Sequence, residues 1–278
     1  MTAETAPAFG TYAPSPLRQG VRAVCTAMPD NWVGRQTAFA LRRLGLWGLD
    51  HPLDVEVFGL KARLYPFDNV AANRLLFTPQ LFDAEEIAAF VGKAKETAGE
   101  FVFLDIGANV GGWSLAIAGA LGPRARILAF EPQPGIREEL RFNAAINSEA
   151  HIEVFPVALS DRDGEVEFTL YPANKGEASI RPRRQGGERV RVPARTLLGV
   201  LNAEGIGRVH GLKIDVEGAE DLVLAPFLKE APDSLLPGIV TIERTQPRWT
   251  IDPVALLEQR GYRIARTTLR NLILEREP

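Results

Sequence analysis

The chain has 278 residues, 46% of them hydrophobic, with 32 lysines and arginines against 35 aspartates and glutamates, a net charge of −3. That length buries one large α/β core with room for an N-terminal extension, while the near-balance of charge gives no basic footprint for nucleic acid. The single cysteine, Cys25, excludes an internal disulfide and suits a reducing, cytoplasmic setting, and no apolar run is long enough to span a bilayer.

Residues 1 to about 20, rich in Ala, Pro and Thr, read as a flexible lead that lacks the basic start and continuous apolar core of a signal peptide. Asp30 or Asn31 is positioned to cap a helix running to about Leu46, with Trp32, Phe39, Leu41 and Leu44 apolar and Arg35, Arg42 and Arg43 basic. Such a helix either packs on the main domain or serves a membrane surface or a dimer. Leu53 to Phe58 and Lys61 to Tyr65, alternating around Gly59, predict a β-hairpin. The stretch Asn73 to Phe82 carries no clear period. A helix is expected over Phe82 to Lys95 with Asp83 as its cap. The extension is assigned residues 1–98 and the main domain 99–278.

From Glu100 the pattern alternates strand and helix. Strands are expected at 101–105, 126–131, 152–157, 210–215 and 238–243, and helices at about 112–121, 134–146, 196–204, 217–229 and 252–260. An inserted strand pair is expected at Glu165–Leu170 and Arg189–Pro193, and two closing strands at Tyr262–Arg266 and Asn271–Glu275. This rhythm predicts an α/β fold with a mostly parallel sheet and helices on both faces.

The sharpest signal is FVFLDIGANVGGWS, Phe101 to Ser114: a strand ending in Asp105, a Gly-rich turn and a helix, the unit that holds a nucleotide-like cofactor. Glu131 ends the next apolar strand, where an acid takes the hydroxyls of a ribose. Gly107 and Gly111 permit close backbone approach, whereas Asn109 stands where a dinucleotide loop has its middle glycine. That disfavours a pyrophosphate and fits S-adenosylmethionine. A dinucleotide-dependent oxidoreductase and a non-catalytic binding protein on the same fold remain the alternatives.

Acids stand at or just after the strand ends: Asp105, Glu131, Asp161, Asp215 and Glu243. Asp105 could instead cap the turn, and Asp161 could open the turn Asp161 to Gly164. In GLKIDVEGAE, Lys213 and Asp215 share a strand face, and Asp215, Glu217 and Glu243 are the candidate proton acceptors for a reaction at a hydroxyl. Capping of the following helix is the competing role for Asp215 and Glu217, and charge neutralisation the simplest one for Lys213. His210 is a weaker acceptor, at the far end of its strand. A divalent ion on Asp215 and Glu243 is conceivable, but the spacing is not diagnostic and no metal ligand is assigned. The arginine-rich segment 172–195 reads as an anion-binding or a merely solvated loop, and Trp249 as a sugar platform or a packing residue.

DIGANVGGWS, FEPQPGIREELRFNAAIN, PVALSDRDGEVEF and GLKIDVEGAE, in this order over Phe101 to Glu243, resemble the FkbM family of S-adenosylmethionine-dependent O-methyltransferases. The resemblance implies a class I, Rossmann-like, seven-stranded fold. It also implies cofactor contacts from Asp105, Gly107, Asn109, Gly111 and Glu131, with Ser160 and Asp161 near the adenine. The implied acceptor is a hydroxyl on a sugar, glycan or secondary metabolite. A homo-oligomer is compatible with all of this. Arg195-Thr196-Leu197-Leu198 departs from the family, which commonly has an Asp soon after its Thr-Leu. Ser179, in a further segment similar to the family, is a candidate acceptor contact.

Overall fold

A computed structural model describes residues 6–171, 176, 178–181, 186–244 and 248–277. Its centre is a seven-stranded sheet of β3 (Phe101–Ile106), β4 (Ala125–Phe130), β5 (His151–Phe155), β9 (Gly211–Ile214), β10 (Ile239–Glu243), β11 (Tyr262–Thr267) and β12 (Asn271–Arg276). The spatial order is β5-β4-β3-β9-β10-β12-β11, and β12 alone runs antiparallel to its neighbours. Strand order reverses between β3 and β9, so the crevice beyond their carboxyl ends is the place for a ligand.

Alternation along β3 explains the two helical layers. Phe101 and Phe103 face one core, which they share with α5 (Gly112–Leu121) and with the whole N-terminal region. Val102, Leu104 and Ile106 face a second core closed by α7 (Leu197–Ala203), α8 (Glu220–Glu230) and α9 (Pro253–Gln259). Within the first core, Phe90 meets Phe103 and Trp113 edge to face at 5.5 and 5.3 Å.

The expected strand at 152–157 stops at Phe155, because Pro156 has no N–H for the ladder. Ala158–Leu159 (β6) joins a separate three-stranded sheet with β8 (Glu188–Arg195) and β7 (Gly164–Leu170), the inserted pair. Asp161 to Gly164 forms the turn between β6 and β7, where Asp163 accepts the backbone N–H of Thr196 at 2.8 Å. Of the arginine-rich segment, residues 172–175, 177 and 182–185 lie outside the described residues.

The N-terminal region corrects two expectations. The lead is not loose from residue 6 onward: Pro16–Thr26 forms α1, with Val21 and Cys25 buried. Arg63, on β2 (Leu60–Leu64), donates to the carbonyls of Pro7 and Ala8 at 2.7 and 2.8 Å. It also forks onto Asp54 of β1 (Leu53–Val57) at 2.7 and 2.9 Å. Asp54 in turn accepts the N–H groups of Gly10 and Tyr12. A buried ion pair thus straps the lead down.

Asp83 stands at the expected N-cap position of α4 (Ala84–Glu96), in the left-handed region at φ 42°, but its side chain makes no capping bond. Its carboxylate is taken instead by Arg74 at 2.9 Å and the Trp113 indole at 3.0 Å. Asn31 does cap α2 (Trp32–Leu46), accepting from Gly34 N at 2.8 Å. The unplaced stretch begins inside α3 (Val70–Phe77), which Asn69 caps. Asn143 and Asn147 of α6 (Pro134–Ala145 and the turn after it) bind the open edge of β2: Arg63 N donates to Asn143 Oδ1, Lys61 N donates to Asn147 Oδ1, and Asn147 Nδ2 donates to the carbonyl of Lys61. That edge is therefore satisfied without a further strand.

Candidate active site

A cavity of about 380 Å3 opens beyond the carboxyl ends of β3, β4, β9 and β10. Its wall includes Gly107, Asn109, Glu131, Asp215, Glu217 and Glu243 of the expected site residues. Asp105, Gly111, Ser160 and Asp161 stand outside that wall.

The Gly-rich turn is shaped by backbone. Gly107 has φ +76°, and a Cβ there would collide with the carbonyl oxygen of Asp215, so only glycine fits. Gly107 and Ala108 both donate to the carbonyl of Phe130. Asp105 is fully buried, accepts Ser114 N at 3.0 Å and Ser114 Oγ at 2.7 Å, and faces Lys213 at 3.5 Å. It pins the start of α5. Gly111, at φ +92°, packs against Leu140.

Glu131, just past β4, accepts Asn109 N and Gln133 N, each at 2.9 Å. Each oxygen keeps a lone pair for a further donor. Burial pushes this carboxyl up to about 7, against the two backbone donors and Lys213, which favour its charged form. Asn109, at φ 52°, turns its side-chain oxygen onto Val110 N and receives the amide of Asn69 at 2.6 Å. The acids that act on Lys213 include Asp215 of the expected pair, and neutralising it is only part of the lysine's role. Its ammonium donates to the carbonyls of Gly107 and Ile106 at 2.7 and 3.3 Å. Burial alone would lower its pKa, but Asp105, Asp215, Asp83 and Glu131 outweigh burial and hold it above the ordinary lysine value.

Past β9, the expected helix start moves to Glu220, and Glu217 sits in the preceding turn at φ 59°. Glu220 organises this turn, accepting Val216 N, Gly218 N and the Trp249 indole at 3.0, 3.2 and 2.7 Å. Trp249 is therefore held as a packing residue. Asp215 lines the cavity, and one carboxylate oxygen each of Asp215, Glu220 and Glu243 lie within 4.8 Å of one another. A hard cation could be offered these oxygens, although Glu220 already serves three donors.

Arg181, read as part of a solvated or substrate loop, instead grips buried Asp221 at 2.7 Å. Ser179 is buried and donates to the carbonyl of Glu217 at 3.1 Å. Among the described residues, the Ser160 hydroxyl bonds its neighbour Asp161 at 3.2 Å. His210 accepts Val102 N at 2.9 Å, at the start of β3 and away from the cavity.

The wall also contains residues that the sequence did not assign to the site: Asn69, Asp83, Gln133, Thr241, Arg270 and Asn271. Asn69 carried a usable signal, a helix-capping residue just ahead of VAANRLLF.

Residues 105–264 match the family model described as the methyltransferase FkbM domain. The AMB antimetabolite synthetase AmbE of Pseudomonas aeruginosa is 35% identical over an alignment of 159 residues, and the match covers 44% of this chain and 7% of that protein. The methyltransferase sdnD of Sordaria araneosa is 30% identical over an alignment of 194 residues, and the match covers 59% of this chain and 74% of that protein. Among solved structures, the METTL16 MTase domain superposes with a TM-score of 0.50 at 15% identity, covering 98% of this chain and 92% of that one, which speaks to fold alone.

The cavity fits S-adenosylmethionine. Glu131 offers free lone pairs to ribose hydroxyls, the wall at Ile136, Val157, Ala158 and Leu159 is apolar, and the turn at Gly107 is bare of side chain. The family match sets the oxidoreductase alternative aside. With the family model matching more than half of its length, the chain belongs to the FkbM methyltransferase family and carries its S-adenosylmethionine-dependent methyltransferase domain.

Proposed function

We propose that the protein methylates a hydroxyl oxygen on a small molecule, a sugar or a secondary metabolite. The observation that carries this reading is the convergence of the Asp215 and Glu243 carboxylates at the tips of adjacent strands on the cavity wall. When bound, S-adenosylmethionine supplies an electrophilic methyl group; a hydroxyl oxygen attacking it must shed its proton.

Asp215, with Glu243 beside it, accepts that proton. Glu217 lies on the same wall and is the third candidate acceptor. Glu131 holds the ribose, and Gly107 and Asn109 shape the backbone around the amino-acid end. Asp105, Gly111, Ser160 and Asp161 support the cofactor site from behind: Asp105 anchors α5, Gly111 lets Leu140 approach, and Ser160 and Asp161 begin the turn after β6. The rate gain comes first from alignment and then from the carboxylate. The antimetabolite synthetase among the relatives supports a secondary-metabolite acceptor. Buried Cys25 agrees with a reducing compartment such as the cytoplasm. No helix among the described residues is long and apolar enough to cross a membrane.

The test is methyl transfer from labelled S-adenosylmethionine to a panel of sugars, nucleotide sugars and phenols, with the site of methylation read by mass spectrometry and NMR. Asp215→Asn and Glu243→Gln should each lower kcat by about 10²- to 10⁴-fold while cofactor affinity stays within threefold or so. Methyl found on nitrogen or carbon, or full activity in both variants, would sink the reading.

A further inference from the structure

The helical pair α1–α2 buries only its inner side. Gly34, Ala38 and Gly45 of α2 and Val21 and Cys25 of α1 are buried. The outer side carries Trp32 and Trp47, 75% and 81% exposed, together with exposed Leu17, Val24, Val33, Phe39 and Leu44. Helical spacing arranges these in two stripes on α2: Val33, Ala40 and Leu44 follow one line, and Trp32, Phe39 and Arg43 another. Beside the first, Leu17, Gly20, Val24 and Leu41 line a shallow apolar groove between the helices. Isolated exposed apolar residues need no explanation, but a contiguous set with two exposed tryptophans does.

The charge on this face is one-sided. From residue 16 to 47 the chain has five arginines against one acid, Asp30, in a protein whose net charge is −3; Arg35 pairs with Asp30, and Arg18 and Arg22 donate to backbone carbonyls, which leaves Arg42 and Arg43 beside the exposed apolar residues. Neither helix contains an Asp or Glu. The Arg42 and Arg43 guanidinium groups lie 4.0 and 5.3 Å from the centre of the Phe39 ring, so cation and apolar surface are presented together. Aromatic and aliphatic side chains interleaved with arginine match the boundary between anionic headgroups and acyl chains. A two-fold contact between copies would instead oppose arginine to arginine with no acid on either helix to relieve it.

The helical pair is also tied to a segment that reaches the cavity wall. Gln80 donates to the carbonyls of Cys25 and Met28 at the end of α1. Phe82 and Asp83, a few residues on, belong to the cavity wall, as does Val70, which is itself exposed.

We infer that the outer face of α1–α2 seats the enzyme on an anionic lipid surface, bringing the cavity next to the headgroup layer. The interaction is peripheral, with Trp32, Trp47, Val33 and Leu44 entering the interface and Arg43 meeting lipid phosphate. It is independent of which atom of the acceptor is methylated.

The experiment is flotation of the full chain with vesicles of phosphatidylcholine alone and of phosphatidylcholine mixed with phosphatidylglycerol. The protein should float with the mixed vesicles, stay at the bottom with phosphatidylcholine alone, and be released by raised salt. Trp47→Ser and Arg43→Glu alter exposed side chains and should each cut the bound fraction about tenfold, with S-adenosylmethionine binding retained as proof of folding. Protein that ignores the mixed vesicles, or a Trp47→Ser variant that floats as well as the parent, overturns the proposal. So does a dimer in sedimentation velocity that Val33→Glu with Leu44→Glu dissolves while vesicles capture nothing; the face would then join two copies.

Discussion

At the scale of single residues, Glu131 connects burial to pH. Its carboxyl titrates at about 7 in the folded protein, raised by burial from an ordinary value near 4.5. The folded, ligand-free protein therefore holds this proton where the unfolded chain has lost it. The associated stability is fully present below about pH 4.5 and is lost as pH rises through about 7. Ribose hydroxyls that donate to the carboxylate favour its charged form. S-adenosylmethionine binding should thus release a proton at about pH 6 and none at about pH 8. Calorimetric titration in buffers of different ionisation heat reads this directly, and Glu131→Gln should abolish the release.

Asn69 makes a second residue-scale case. Its amide holds the Asn109 side chain at 2.6 Å, and Asn109 N is one of the two donors to Glu131. Asn69→Ala should weaken cofactor binding by about 1–2 kcal/mol, roughly tenfold, and leave the acceptor KM unchanged. Equal losses for both substrates would mean that Asn69 serves only the helix it caps.

At the scale of elements, the buried pair Arg63–Asp54 decides whether the lead is part of the fold. Desolvation works against the Asp54 carboxylate, yet the Arg63 fork and two backbone donors outweigh it and hold the acid below its ordinary pKa. Arg63→Met leaves that carboxylate buried and unpaired and frees residues 7–12. The expected cost is about 3–5 kcal/mol, read as a lower denaturant midpoint, with new proteolytic cleavage in the lead. A variant with an unchanged midpoint would show that the strap is ornamental. The same pair explains why the sequence reads poorly here: Ala and Pro in the lead have no intrinsic structure, and what orders them is a guanidinium more than fifty residues away. Strands β3, β4, β9 and β10 were legible because runs such as FVFLDI and ARILAF are apolar on both faces, as a covered parallel sheet demands. Helix α3 was not, since eight residues without an acid or a strong period give little to read.

At the scale of the whole molecule, the site divides between what one segment determines and what the fold assembles. Gly107, Asn109 and Glu131 were readable because turn, strand end and spacing are local. The Asp215–Glu243 meeting followed from the rule that strand tips converge on one rim. Arg270 and Asn271 reach the cavity from the end of the β11–β12 connection and the start of β12, and Asp83 from the segment before α4, so no short stretch of sequence announces them. Asp105 and Asp161 were drawn into the site by the row of strand-end acids, though the fold assigns them to a helix start and a turn.

The grip of α6 on the hairpin has a consequence for how such an enzyme diversifies. Asn143 and Asn147 hold the main chain of Lys61 and Arg63, and Asn143 also donates to the carbonyl of Val110 in the cofactor turn. A clasp that reads peptide groups is indifferent to the side chains it carries. Outward positions on β1 and β2, such as Glu56 and Lys61, are free to drift over generations while the segment keeps its seat on the methyl-transfer machinery. Novelty in the N-terminal region is thereby uncoupled from damage to the chemistry.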